Sequence, residues 1–179
     1  MELILIRHPQ PDVASGVCYG SSDIPAAADA LAAGYAALAP QLADVLARGY
    51  RLYSSPLQRC TALASLLGAF APDARLMEMN FGTWELRSWP DIARAEVDAW
   101  AADLLGYRPG GGETVREVAG RVQSFLDALQ HDAIVVCHAG TIRLMAAIAA
   151  GEPLQQAAAK PNHIKYCEIL RLSWPAKPV

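Results

Sequence analysis

The chain has 179 residues, of which 53% are hydrophobic and 18% charged, with a formal net charge of −3. That length fits a single domain over 1–179 with a sizeable core; the apolar share argues against disorder, and the mild negative charge gives no electrostatic case for a nucleic-acid or membrane partner. No stretch reads as apolar enough to span a bilayer, the opening run is too short for a signal h-region, and Cys18, Cys60, Cys137 and Cys167 lack CxxC spacing, so the expectation is a cytoplasmic protein with reduced, buried thiols.

"ELILIR" opens the chain as a short apolar run and predicts a buried strand. Pro9 to Pro25 is rich in Pro, Gly, Ser and Asp and reads as a loop. From Asp29, apolar residues at Leu31, Tyr35, Leu38, Leu42 and Val45 mark a helix face. Pro40 predicts a kink or break there and Gly49 a stop. "YRLYSS" is a second strand. Ser55-Pro56 then suggests an N-cap and first turn, for a helix running to about Leu67. "ARLMEM" reads as a third, short strand, followed by a loop and a helix over roughly Ile92 to Leu105. "RPGGGE" is a loop. Glu113 to Gln130 carries Val115, Val118, Val122, Phe125 and Leu129 on one helical stripe. "AIVVCH" is a continuous apolar run, as in a strand buried on both faces. A helix starting at Gly140-Thr141 and stopping at Gly151 follows, and "KYCEILRL" is the last strand. The alternation predicts a three-layer α/β/α fold, a mostly parallel sheet with helices on both faces. No internal repeat is present.

The polar residues follow this order. Arg7 and His8 come after the first strand, Arg59 in the first turn after the second, Glu78 at the end of the third, and His138 at the end of the fourth. Ligands of open α/β sheets bind at that edge. Taken singly, each histidine reads as a hydrogen-bonded strand-end residue, Arg59 as a surface helix residue, and Glu78 as a solvated carboxylate. Together, two arginines and two histidines beside a helix N-terminus make an anion site, and one carboxylate within it suits general acid–base work. His131 closes a helix and reads as a favourable C-terminal charge or as a residue without a role, and His163, in a loop, as a surface residue. "GGGE" lacks the Lys-Ser/Thr of a nucleotide loop and reads as a helix cap. No cluster has metal-ligand spacing, so neither metal nor cofactor is expected.

"LIRHP", "SSPLQRCTALA", "EMNFGTWE", "GGETV" and "VVCHAGTIR" occur in an order that resembles the histidine phosphatase superfamily, the phosphoglycerate-mutase-like group. The five blocks span Leu5 to Arg143. The resemblance implies that His8 is the nucleophile that becomes phosphohistidine, that Arg7, Arg59 and His138 complete the phosphate pocket, and that Glu78 is the proton donor, so that the catalytic set is His8, Glu78 and His138. Glu85 matches a separate, more structural position. The residues alone do not say which histidine attacks; the resemblance implies His8. Pro9 replaces the usual Gly, "WEL" replaces WEG and "CHAG" replaces SHGG. The Thr and Asn that often follow the first block are missing, which leaves one customary phosphate contact unassigned.

Within the superfamily, "GVCYGSSDIP" with "EMNFGTWE" is most similar to the alpha-ribazole phosphatase branch. That implies a metal-independent phosphomonoesterase acting on alpha-ribazole 5′-phosphate in cobalamin biosynthesis. The alternatives are a broad-specificity phosphatase, a phosphoglycerate mutase-like enzyme, or a non-catalytic phospho-ligand binding module. The partner expected is a small-molecule phosphate ester. The sequence does not fix the oligomeric state; a homodimer is admissible.

Overall fold

The computed structural model describes residues 1–175, so the last four positions of the expected domain lie outside the described residues. Strands β1 (Glu2–Arg7), β2 (Arg51–Ser54), β3 (Ala71–Pro72), β4 (Ala133–Cys137) and β5 (Ile169–Ser173) form one sheet in the order β3-β2-β4-β1-β5. β1 pairs in parallel with β4, β4 with β2, and β2 with β3, while β5 lies antiparallel to β1 at the edge.

Alternation along the strands builds two cores. Leu3 and Leu5 of β1 join Ala133, Val135 and Cys137 of β4 on one face. Ile4 and Ile6 join Ile134 and Val136 on the other. Helices α4 (Val115–Ala128) and α5 (Ala139–Ala150) cover the first face, and α1 (Ala28–Ala47) and α2 (Gln58–Leu67) the second. A strand buried on both faces has no polar side to show, which is why β4 reads as a continuous apolar run. The expected three-layer arrangement is the one observed. In α4 the stripe Val115, Val118, Val122 and Phe125 is buried. Thr114 caps this helix: its hydroxyl accepts from the Glu117 amide, while the Glu117 carboxylate accepts from the Thr114 amide. Such a cap contributes about 1 kcal/mol.

Several expectations need correction. α1 keeps Pro40 inside one continuous helix; the face carrying Leu38, Leu42 and Val45 is packed on the sheet, and that packing outweighs the one backbone bond that proline removes. By length and composition alone α1 is also apolar enough to cross a membrane, at a mean hydropathy of 1.3. The expectation that no stretch met that criterion is wrong. Alanines on the exposed side raise its average, while the large apolar residues face the core. α2 begins at Gln58 with Leu57 at its N-cap, not at Ser55; the Ser55 hydroxyl is engaged by His138 instead.

"ARLMEM" is not a strand. β3 lies earlier and is two residues long, and Ala74–Leu76 forms a 3₁₀ turn capped by Asp73, whose carboxylate accepts from the Arg75 amide. Glu78 therefore leaves from a loop rather than a strand end. α3 (Arg94–Ala102) is shorter than the expected helix, and α6 (Leu154–Ala159) has no counterpart among the expected elements.

Candidate active site

The parallel strands β1, β2 and β4 end at the same edge, which places their C-terminal residues side by side. Arg7 ends β1 and His8 follows it; Arg59 sits in the first turn of α2; His138 occupies the N-cap position of α5. Glu78 reaches the same place from its loop. All five line one pocket of ≈ 370 Å³. The His8 and His138 rings lie 5.0 Å apart between centroids.

His8 is 2% exposed. Its Nδ1 lies 2.6 Å from the Pro9 carbonyl oxygen. A carbonyl can only accept, so the proton resides on Nδ1 and Nε2 keeps its lone pair. Pro9 lacks an amide N–H but supplies the carbonyl this arrangement needs, so the exchange of glycine for proline leaves the orienting bond in place. Burial first, then the charges of Arg59 and Arg7, push the His8 imidazole down to about 3. Its ring is neutral over the whole range in which proteins work. His138 is fully buried and also held well below its ordinary range, by burial and then by His8 and Arg59. Its Nε2 shares a hydrogen bond of 2.8 Å with Ser55 Oγ, so of the two rings only His8 leaves Nε2 without a protein partner.

The guanidiniums are fixed by backbone oxygens. Arg59, wholly buried, donates to the carbonyls of Gly20 and Ser22. Arg7 donates to the carbonyl of Ile164. In both, Nε is buried without a protein acceptor. Two buried donors on permanent cations at the end of a sheet fit an anion, and phosphate has the oxygens to satisfy both. The loop that supplies two of these carbonyls is itself braced by Glu85. Its carboxylate accepts from the amides of Gly20, Ser21, Ser22 and Phe81 at 2.9–3.1 Å. Burial opposes its charge, but the Ser22 hydroxyl and these amides outweigh burial and hold the carboxyl below its usual range. Glu85 thus carries a structural load, as expected.

Glu78 meets the start of α5. The Gly140 amide donates to its Oε2 at 2.9 Å. A Cβ at Gly140 would come within 2.5 Å of Glu78 Oε1, so only glycine lets the carboxylate approach the helix end so closely. Arg121 of α4 holds the loop from behind. It donates to the carbonyls of Arg75 (2.8 Å), Met77 (2.6 Å) and Glu78 (3.1 Å) and to both carboxylate oxygens of Glu113. All five N–H groups of the guanidinium are used. Two glycines of "GGGE" serve packing: a Cβ at Gly110 would strike the Phe81 carbonyl at 2.3 Å and one at Gly112 the Asn80 carbonyl at 2.1 Å, because the two loops lie backbone to backbone. Thr114, not the "GGGE" run, is the cap of α4.

The same pocket also carries apolar lining. Val17, Phe81, Trp89, Trp100 and Leu104 line it, the three aromatics forming one wall. Phe81 meets Trp89 and Trp100 edge-on, and the two indoles lie 3° from parallel. Trp100 Nε1 is buried without an acceptor. The sequence reading missed this wall, as well as Ser55, Arg121, Tyr19 and Arg143. Arg143 stood in a quoted block and Tyr19 in "GVCYGSSDIP", but nothing in their spacing placed them at the pocket. His131 and His163 are both exposed and outside it, the latter as expected. Among the described residues no group of three or more His, Cys, Asp or Glu side chains is gathered to hold a metal.

The sequence pattern of the Histidine phosphatase superfamily (branch 1) matches residues 3–177. The chain belongs to that superfamily. It is 30% identical over 110 residues to the adenosylcobalamin/alpha-ribazole phosphatase of Salmonella typhimurium, 54% of either chain. It spans about half the length of the curated relatives it matches. Among solved structures, TTHB049 from Thermus thermophilus superposes with a TM-score of 0.76 at 26% identity, over 99% of this chain and 96% of that one. The alpha-ribazole phosphatase from Shigella flexneri superposes at 0.84 with 24% identity, over 97% and 90%. Both likenesses agree with the three-layer fold.

Proposed function

We propose that this chain is a metal-independent phosphomonoesterase that works through a phosphohistidine at His8, and that its substrate is alpha-ribazole 5′-phosphate. The observation that carries the reading is one pocket joining a phosphate cradle to an aromatic wall. The cradle of Arg7, Arg59 and His138 suits a phosphate dianion, and the free Nε2 of His8 is the nucleophile beside it. Phe81, Trp89 and Trp100 suit a flat heterocycle such as the benzimidazole of alpha-ribazole, and the unpaired indole N–H of Trp100 suits a ring or sugar acceptor. The names of the curated relatives point the same way.

In the first step, His8 Nε2 attacks phosphorus in line and the bond to the ester oxygen breaks. That oxygen takes the bonding pair, and Glu78, in its acid form, gives it a proton. The alcohol leaves and phosphohistidine remains. Water then attacks phosphorus, Glu78 accepts its proton, and the P–N pair returns to His8. The arginines hold the three non-bridging oxygens throughout, which is most of what phosphoryl transfer needs. The acid–base contribution is typically about 10²–10⁴-fold.

The test is kcat/KM, in excess EDTA, for alpha-ribazole 5′-phosphate against sugar phosphates, phosphoglycerates and nucleotides. Alpha-ribazole 5′-phosphate is expected to lead by about tenfold or more, equivalent to about 1.4 kcal/mol of differential transition-state binding. Several unrelated esters turned over that much faster would replace it with a general phosphatase. Phosphate transfer to monophosphoglycerate would indicate a mutase. Activity lost in EDTA and restored by magnesium or zinc would end the metal-free mechanism.

A further inference from the structure

The pocket has arginines, histidines and a carboxylate, but few neutral donors for a phosphoryl oxygen. Residues 9–14, directly after the nucleophile, contribute no hydroxyl or amide side chain to its lining. Two tyrosines from distant parts of the chain meet at its rim instead, one in the lining and one, 37% exposed, just outside it. Tyr19 lines the pocket from the loop braced by Glu85, and Tyr166 precedes β5. Their hydroxyls are 3.0 Å apart.

Each ring lies against one of the phosphate-holding cations. The Arg7 guanidinium carbon is 3.9 Å from the centre of the Tyr166 ring, and that of Arg59 is 5.6 Å from the centre of the Tyr19 ring. The Tyr166 ring is also 5.7 Å from the His8 ring. The pair thus bridges Arg7 and Arg59 beside the nucleophile.

The backbone holds Tyr166 in this place at some cost. Cys167, the next residue, has φ +58, a left-handed conformation uncommon outside glycine. Its amide donates to the Arg7 carbonyl at 3.0 Å, and the Arg7 amide donates to the Glu168 carbonyl at 3.2 Å. Its sulfur fills the space over Gly34, where a Cβ would lie 2.4 Å from Sγ. Strain of this kind is retained where the surroundings enforce it, often at functional sites. The turn carrying Tyr166 is therefore locked to the strand end carrying Arg7.

We propose that Tyr19 and Tyr166 act as one phosphate-binding unit, the two hydroxyls together delivering a single proton donor to a non-bridging phosphoryl oxygen. Of the two phenolic protons, one is used between the hydroxyls and the other is free. Burial, followed by the bond to Tyr166, raises the Tyr19 phenol above its ordinary range, so it stays a neutral donor. Stacking on the cations keeps both rings in place while the guanidiniums face the anion.

This rests on the phosphate reading of the pocket, and the experiment separates the two. Inorganic phosphate is titrated calorimetrically into the whole protein and into Tyr19→Phe, Tyr166→Phe and the double variant, with Tm recorded for each. Phenylalanine keeps the ring over the arginine and removes only the hydroxyl. Tyr19→Phe, which removes the donor in the pocket, is expected to weaken phosphate about tenfold, and Tyr166→Phe, which removes only the bond orienting that donor, to weaken it less, with Tm unchanged in both. The double change is expected to weaken it no more than the worse single, because the unit supplies one donor. Undiminished phosphate affinity in both single variants overturns the proposal, as do losses that multiply in the double variant. A wild-type protein that binds no phosphate removes the anion pocket itself and the proposal with it.

Discussion

At the residue scale, the division of labour between the two histidines follows from what each ring nitrogen touches. The Pro9 carbonyl fixes the proton of His8 on Nδ1, while Ser55 engages Nε2 of His138. Glu78 is the acid only if its value depends on how badly the leaving oxygen needs a proton. An alkyl alkoxide leaves poorly, whereas p-nitrophenolate leaves unaided. Glu78→Gln keeps the shape and cannot deliver the proton. Its single-turnover phosphorylation rate is expected to fall by about 10²-fold or more on an alkyl phosphate and far less on p-nitrophenyl phosphate. Equal losses on both would make Glu78 a positioning group, and Glu85→Gln, run alongside, controls for disturbance of the Gly20–Ser22 loop.

At the element scale, Glu78 depends on a loop that has no ladder of its own. β3 stops at Pro72, and from there to Glu78 the chain is tied by Asp73, by the Thr141 hydroxyl donating to the Met77 carbonyl at 3.0 Å, and by Arg121 from α4. Lysine at 121 keeps a charge but offers three donors on a point, so it cannot span Glu113 and three carbonyls at once. Arg121→Lys is therefore expected to reproduce part of the Glu78→Gln signature, lowering the first step more on alkyl than on aryl phosphates, with affinity for inorganic phosphate unchanged. A loss of phosphate affinity of the same size would show that Arg121 supports the whole pocket rather than the acid loop.

For the whole molecule, burying two neutral imidazoles links folding to pH. Above pH 6.5 His8 is neutral both folded and unfolded and contributes nothing to the slope. Below that, the unfolded chain takes up a proton that the folded site, held near 3, refuses. Stability therefore falls as pH drops from 6.5 towards 3. By pH 4.5 the loss due to His8 is about 2–3 kcal/mol, and His138, shifted the same way, adds to it. Asp73 and Glu85, held below the usual carboxylate range, push in the same direction once they begin to titrate. Urea unfolding at pH 7 and pH 4.5 is the check. His8→Asn retains a side-chain N–H for the Pro9 carbonyl and is expected to lose less stability than wild type across that interval. An identical loss in both would mean that the burial of His8 does not govern acid stability.

Period and punctuation in the chain were enough to specify the layers and the site's edge. Strand runs such as "LILI" and "AIVVC" admit only burial on two faces, and their parallel alignment brings Arg7, His8, Arg59 and His138 to one end. That much is local, since a strand's polar terminus is written in consecutive residues. Glu78 was assigned to the right place for the wrong reason: "ARLMEM" has the composition of a strand, but the Asp73 cap turned it into a 3₁₀ turn and a loop. Tyr19 with Tyr166, Arg121 with the carbonyls of 75–78, and the wall of Phe81, Trp89 and Trp100 arise from contacts across 8 to 147 residues of chain. No periodicity encodes such pairs. They exist only once the sheet and its helices have fixed which loops face one another, so the sequence by itself determined the charged end of the pocket, and the tertiary structure decided what surrounds it.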